Sequence, residues 1–149
     1  MQKHSPLTTL DTLLSAAFLS VGIMLCTACE PNNCHVTIGN ANFSCNPNSA
    51  AYPGLNHVGG YEALTGGHRG IMVIRLSQTD FVAFERTCPC DNNSRVDISP
   101  DYGCMALQCP TCGSLYSVND FGYPMSGSSS SCPLHQYTTN YTGGTLYVY

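Results

Sequence analysis

Two closely spaced cysteine pairs define the chemistry open to this chain. Cys88-Pro89-Cys90 is the first, and Cys109-Pro110-Thr111-Cys112-Gly113 follows after 18 intervening residues. Two loops that each offer two sulfurs from one side can enclose a metal ion or cluster, with four sulfurs at about 2.3 Å from the ion. The second loop is the more specific. Its proline stiffens the turn, and its glycine lets backbone amides point at a thiolate. Ten cysteines in 149 residues are more than indifferent core packing requires, so the chain must use disulfides, a metal, or both. The competing reading of the same loops is a pair of disulfides.

Other chemistries find little support. Charged residues make up 9% of the chain against the ordinary 25% or so, and the net charge is −4. With one lysine and four arginines there is no basic stripe to neutralise phosphates, which argues against nucleic-acid binding. No Gly-x-Ser-x-Gly or glycine-rich phosphate loop occurs. Asp91, Asp97 and Asp101 flank turns without a partner that would define an acid–base pair, so no catalytic site is expected. His57 and His68 sit in glycine-rich turns and read as solvated loop residues. His35 adjoins a cysteine without a second ligand in view. Cys132-Pro133-Leu134-His135 is a Cys-x-x-His, but too few residues follow it to build supporting strands, and His135 reads as part of a closing strand.

The elements that must hold the thiol loops are strands. Ile71-Met72-Val73-Ile74-Arg75-Leu76, the polar turn Ser77 to Asp80, and Phe81-Val82-Ala83-Phe84-Glu85-Arg86 form a hairpin that delivers Cys88 at its end. Tyr61 to Thr65 lies between glycine pairs as a short strand. Val96 with Ile98, and Met105 with Leu107, alternate with polar residues. Leu115, Tyr116 and Val118 follow a tight glycine turn, and Leu146 to Tyr149 ends the chain as a strand. Beyond Cys29 no segment has an apolar stripe at helical spacing, so the fold is all-β. Ser126 to Ser131 is a small-residue loop, and Glu30 to Ser49 is polar with weak alternation.

The first residues address the protein to a compartment. A short start carrying Lys3 precedes the apolar run Leu13 to Leu25, too short for a membrane span of about 20 residues and of the length of a secretory signal. Ala28 directly before Cys29 resembles the bacterial lipobox, in which that cysteine is lipidated after cleavage, although Cys26 is unusual for the motif. The resemblance implies a signal peptide over 1–28, lipidation of Cys29, a tether over 29–40, and a location in the bacterial cell envelope on a membrane surface. Cys26 and Cys29 then leave the count, and eight cysteines remain.

From Tyr61 onward the chain resembles a Rieske [2Fe–2S] domain. The resemblance is carried by Cys88-Pro89-Cys90, Cys109-Pro110-Thr111-Cys112-Gly113-Ser114-Leu115-Tyr116, Gly122-Tyr123-Pro124 and Pro133-Leu134-His135-Gln136-Tyr137. It implies stacked antiparallel sheets over 41–149, with a small cluster-binding subdomain near 87–127. Cys88 and Cys109 match the two cysteine ligands of that family, and Cys90 and Cys112 stand where its two histidines belong. Ser114 and Tyr116 match residues that donate hydrogen bonds to cluster sulfurs and raise the potential. Gly113, Gly122 and Pro124 shape the loops that cover the site. Replacing both neutral histidines by thiolates adds negative charge, which predicts a low potential for a [2Fe–2S] cluster. Zinc, or no metal, remains an alternative. The function implied is electron carriage to an unidentified redox partner; a cluster-less, disulfide-stabilised β module for binding or scaffolding is the alternative.

Cys34, Cys45, Cys104 and Cys132 are the disulfide candidates, and four cysteines allow three pairings. Cys34 with Cys45 would close a short local loop, and Cys104 with Cys132 would pin the cluster loop to the covering loop.

Overall fold

The computed structural model describes residues 34–149; the expected signal segment 1–28, the expected lipidation site Cys29 and the first residues of the expected tether lie outside the described residues. Ten strands follow in order: β1 (Phe43–Cys45), β2 (Tyr61–Leu64), β3 (Ile71–Arg75), β4 (Phe81–Glu85), β5 (Asp97–Ser99), β6 (Gly103–Gln108), β7 (Leu115–Ser117), β8 (Gln136–Tyr137), β9 (Thr139–Thr142) and β10 (Thr145–Val148). A single 3-10 turn, Pro53–Leu55, precedes β2. The strands form three antiparallel sheets ordered β1-β10-β9, β2-β3-β4-β8 and β5-β6-β7. The fold is all-β, and no helix among the described residues is long and apolar enough to cross a membrane.

The run Ile71-Met72-Val73-Ile74 lacks the polar alternation of a half-exposed strand because β3 is covered on both faces. Successive side chains of a strand point to opposite sides. Ile71 and Val73, with Phe81, Ala83 and Tyr137, meet Ala41, Cys45, Leu55, Leu146 and Val148 to form one core. Met72, Ile74 and Phe84 point the other way and meet Val96, Leu107, Tyr116, Val118 and Leu134. Each fully buried large side chain contributes about 1.5–3 kcal/mol. The second core also contains Cys88 and Cys109, so the thiol loops are built on the far face of the middle sheet.

Three charged residues are buried among the described ones, Arg75, Glu85 and Arg86, and the first two gather many hydrogen bonds, as burial of a charge requires. Arg75 ends β3. Its Nη1 donates to Asn48 Oδ1 at 2.7 Å and to Leu55 O at 2.9 Å, its Nε to Ser77 O at 3.1 Å and its Nη2 to Gln78 O at 3.0 Å. It thereby ties the β3–β4 turn to the 3-10 turn, and its guanidinium lies 5.2 Å from the centre of the Phe81 ring. Glu85 ends β4 with no exposed surface. It accepts hydrogen bonds from His68 N at 2.6 Å, Arg69 N at 3.0 Å, Thr87 N at 3.0 Å, Thr87 Oγ1 at 2.8 Å and Tyr137 Oη at 2.8 Å. Gly67 in the same loop has φ +61°, and a Cβ there would stand 2.4 Å from Glu85 Oε2, so the loop can close on the carboxylate only with glycine.

Cysteine pairing departs from the expectation. Cys34 is bonded to Cys132, closing a separation of 98 residues, whereas Cys45 and Cys104 are free thiols. The local Cys34–Cys45 loop does not form because Cys45 faces into the sandwich, opposite Leu146 in the β1/β10 register. Cys34 lies with His35, Val36 and Ile38 along an apolar groove shared with Pro133 and Leu134, which places it beside Cys132. The proposed Cys104–Cys132 bond is excluded for the same reason. The tether is therefore stapled to the loop before β8.

Two stability outcomes follow. Burial pushes the Glu85 pKa up, but the hydrogen bonds from His68, Arg69, Tyr137 and Thr87 outweigh it and hold the carboxyl below its ordinary value. A depressed folded-state value means that the contribution is present above the unfolded value of about 4.3 and is lost as pH falls through the folded value. Glu85→Gln should therefore flatten the acid limb of stability measured by urea unfolding across this range, and an unchanged limb would contradict the assignment. Replacing Cys34 and Cys132 together by serine should lower stability by about 2–4 kcal/mol in the same assay, given the long loop they close.

Candidate metal centre

Three loops converge on the far face of the middle sheet. The first leaves β4. Arg86 N donates to Gly70 O and Val96 N to Arg86 O, Thr87 bridges Arg95, and Cys88 N donates to Ser94 O at 2.8 Å. Asp91 closes the tip by accepting from Asn93 N at 3.0 Å, Ser94 N at 2.8 Å and the Ser94 hydroxyl. The second loop joins β6 to β7. Cys109 N donates to Ser114 O at 2.9 Å and Gly113 N to Cys109 O at 2.9 Å, a tight knuckle that turns Cys112 back toward Cys109. A hydrogen bond between Ser94 Oγ and Thr111 Oγ1, 2.7 Å long, locks the two tips together.

The third loop covers the site. Tyr116 bridges Pro124, Ser117 N donates to Tyr123 O, and Gly122 N donates to Ser117 O. Gly122 has φ +77°, and a Cβ there would meet Phe84 Cε1 at 3.0 Å and Leu134 Cβ at 3.1 Å. Only glycine permits this approach of the loop to the core. Phe121 beside it has φ +50° and is 68% exposed; Tyr123 is 53% exposed. The covering loop thus presents Phe121 and Tyr123 to solvent while packing Gly122 on the core that contains Cys88 and Cys109.

Three of the four expected ligands are together. The sulfurs of Cys88, Cys109 and Cys112 all lie within 4.8 Å of one another, with Cys88 and Cys109 buried and Cys112 half-buried. Cys88 Sγ is 3.7 Å from Cys112 Sγ. Two thiolates at about 2.3 Å from one tetrahedral ion stand about 3.8 Å apart, so this pair has the separation of neighbouring ligands on a single ion. Cys90 packs half-buried against the same core, but its sulfur is held in a disulfide. The donor set therefore fits one thiophilic ion held by three thiolates, whereas a four-thiolate [2Fe–2S] site requires Cys90 to be reduced.

Hydroxyls face the sulfurs as expected from the resemblance. Tyr116 Oη lies 3.5 Å from Cys88 Sγ, and Cys112 Sγ donates to Ser114 Oγ at 3.2 Å. Ser114 is itself buried and accepts from Ser130 N at 3.0 Å, so the serine-rich loop orients it. Burial pushes the Cys88 thiol up to about 12, partly offset by the Tyr116 hydroxyl. Burial also raises Cys112, but the bonds to Ser114 outweigh it and leave that thiol below its ordinary value. The tyrosine hydroxyl is pushed well above its ordinary range, chiefly by burial, and so stays a proton donor. Cys112 is therefore the more readily ionised of these two sulfurs, and Cys88 ionises when a cation compensates the charge.

Sequence reasoning missed Glu85, Arg75, Ser130 and the Ser94–Thr111 link. Glu85 had a detectable sign, since it shares the inward parity of Phe81 and Ala83 on β4. The others depend on loops meeting in space, which spacing along the chain does not show.

No family model matches the sequence, and no curated protein matches it. Among solved structures, the ferredoxin of carbazole 1,9a-dioxygenase from Nocardioides aromaticivorans IC177 is similar at 17% identity and a TM-score of 0.46, over 62% of this chain and 86% of that one. The complex of reduced oxygenase and oxidized ferredoxin in carbazole 1,9a-dioxygenase contains a chain similar at 24% identity and a TM-score of 0.44, over 62% of this chain and 82% of that one.

The covering loop gives a direct check on the site. Gly122→Ala should destabilise the protein by about 1–3 kcal/mol through overpacking against Phe84 and Leu134, with added cost from its positive φ. It should also raise the rate at which a thiol reagent reaches Cys88 and Cys109. Unchanged stability and labelling would show that the loop does not seal the site.

Proposed function

We propose that this chain is a Rieske-like metalloprotein of the bacterial cell envelope that carries electrons through a thiolate-ligated centre, with Cys88, Cys109 and Cys112 as ligands and Cys90 completing the set once its sulfur is reduced. The convergence of three buried or half-buried sulfurs, each loop locked to its neighbour, is the observation that carries this reading. An iron–sulfur centre bound there would supply a one-electron couple. The chain's own residues do the rest. Phe84, Leu107 and Val118 exclude water from the face behind the sulfurs, and Tyr116 and Ser114 supply hydroxyls beside Cys88 and Cys112. The exposed rings of Phe121 and Tyr123 form the apolar tip by which the covering loop would meet a redox partner. Attachment through a lipidated Cys29 is part of the proposal and is supported by residues 13–29 of the sequence.

The three-sulfur group of Cys88, Cys109 and Cys112 favours a second reading, a single zinc ion on three thiolates with a structural role. One experiment separates them. Full-length protein purified anaerobically under reducing conditions should carry about two irons and matching sulfide per chain, with charge-transfer absorption in the visible, if it is the electron carrier. One zinc per chain, no colour and three thiols shielded from alkylation would establish the structural reading. Cys109→Ser should abolish metal retention in either case. Protein without metal under both reducing and oxidising preparation, with its thiols freely alkylated, would overturn both.

A further inference from the structure

After position 28 the only strong bases are Arg69, Arg75, Arg86 and Arg95. Arg75 is consumed by the turn described above. The other three line one open cleft of about 430 Å³, on the side of the Gly66-Gly67-His68-Arg69-Gly70 loop. A chain with net charge −4 has thus gathered three of its four remaining arginines in one place. Like charges so placed repel one another, and such an arrangement is relieved by an anion between them.

Among the described residues, the groups around them supply an anion to Arg86 alone. Asp97 pairs with Arg86, Oδ2 to Nη2 at 2.6 Å, and Arg86 Nε donates to Val96 O at 2.9 Å. Glu85 lies beneath the loop with both carboxylate oxygens engaged by amides and hydroxyls, including the amides of His68 and Arg69. Neither Arg69 nor Arg95 has a carboxylate partner among the described residues. Arg69 Nη2 rests on the neutral amide oxygen of Asn93 at 2.5 Å, and its Nε is shielded from solvent without an acceptor among the described residues. A guanidinium left with an unmade hydrogen bond is poised to turn its fork onto an incoming oxyanion, for which two parallel N–H donors are the preferred geometry.

We propose that this cleft is a binding site for an oxyanion of the phosphate class, held mainly by Arg69 and Arg95, with Arg86 adding positive charge from the side. A tetrahedral dianion can accept from two guanidinium forks at once, and the volume leaves room for an organic group on one oxygen. The site is separate from the thiols but not isolated from them. Arg95 and Asn93 belong to the loop that carries Cys88, so an occupied cleft would hold that loop down.

The test is isothermal titration of the full-length protein in detergent at low ionic strength with three probes. These are inorganic phosphate, glycerol 3-phosphate as a monoester, and glycerophosphoglycerol as a diester that stands for a lipid headgroup. Chloride at equal ionic strength is the reference. Binding of any probe above the chloride reference, weakened about tenfold or more by Arg69→Gln and by Arg95→Gln, is the expected result. The probe bound most tightly identifies the source of the phosphate. Arg69→Lys should recover only part of the affinity, because an ammonium lacks the fork. Arg95 is exposed, so Arg95→Gln leaves the fold intact and keeps the test valid should Arg69→Gln unfold. Heats equal to the chloride reference for all three probes, or binding unaffected by either glutamine substitution, would overturn the proposal.

Discussion

The central strands β3 and β4 of the middle sheet are covered on both faces, and the remainder of the molecule follows from that constraint. β3 and β4 send alternate side chains into two separate cores, so each must carry apolar residues at both parities. One core closes the sandwich with β1 and β10. The other supports the β5-β6-β7 sheet and the three loops around the sulfurs. β4 joins the two functions: Phe81 and Ala83 pack on one side, Phe84 on the other, and the strand then runs through Glu85 into Cys88. Buried polar groups at the strand ends are tolerated only because each is fully hydrogen-bonded. Glu85 fixes the Gly66–Gly70 loop on one edge, and Arg75 fixes the β3–β4 turn on the other.

On this support the thiol site gains its properties from its surroundings. Cys88 and Cys109 are removed from water, which disfavours the Cys88 thiolate, whereas Cys112 is partly solvated and hydrogen-bonded to Ser114. Such a set binds a soft cation by exchanging protons for charge, since the ion compensates what burial penalises. The covering loop packs Gly122 against Phe84 and Leu134 of the core that holds the sulfurs, and the same loop turns Phe121 and Tyr123 outward. Protection of the site and presentation of an apolar surface therefore come from one short segment.

Much of this was legible in the residues. The β3–β4 hairpin, the strands Tyr61–Leu64 and Thr145–Val148, and the approach of the Cys88 loop to the Cys109–Cys112 loop follow from alternation, turn residues and spacing, all of which are local. The disulfide pairing was not legible, because which cysteines meet is decided by packing between distant segments. Cys34 reaches Cys132 across 98 residues, while Cys45, nearer in sequence, is turned into the sandwich. Cys90 shows the same limit, since its place beside Cys88 marks it as a ligand but its sulfur is engaged in a disulfide. The gathering of Arg69, Arg86 and Arg95 is likewise invisible along the chain, where they sit on a loop, a strand end and a loop tip.

The proposed function requires Cys88, Cys109 and Cys112 to share one coordination shell. X-ray absorption of the metal-loaded, full-length protein measures that shell directly. At least three sulfur neighbours at about 2.3 Å from the absorbing metal are expected, and Cys112→Ser should remove one of them and leave the others. A shell of nitrogen and oxygen neighbours, or a sulfur count unchanged by that substitution, would contradict it.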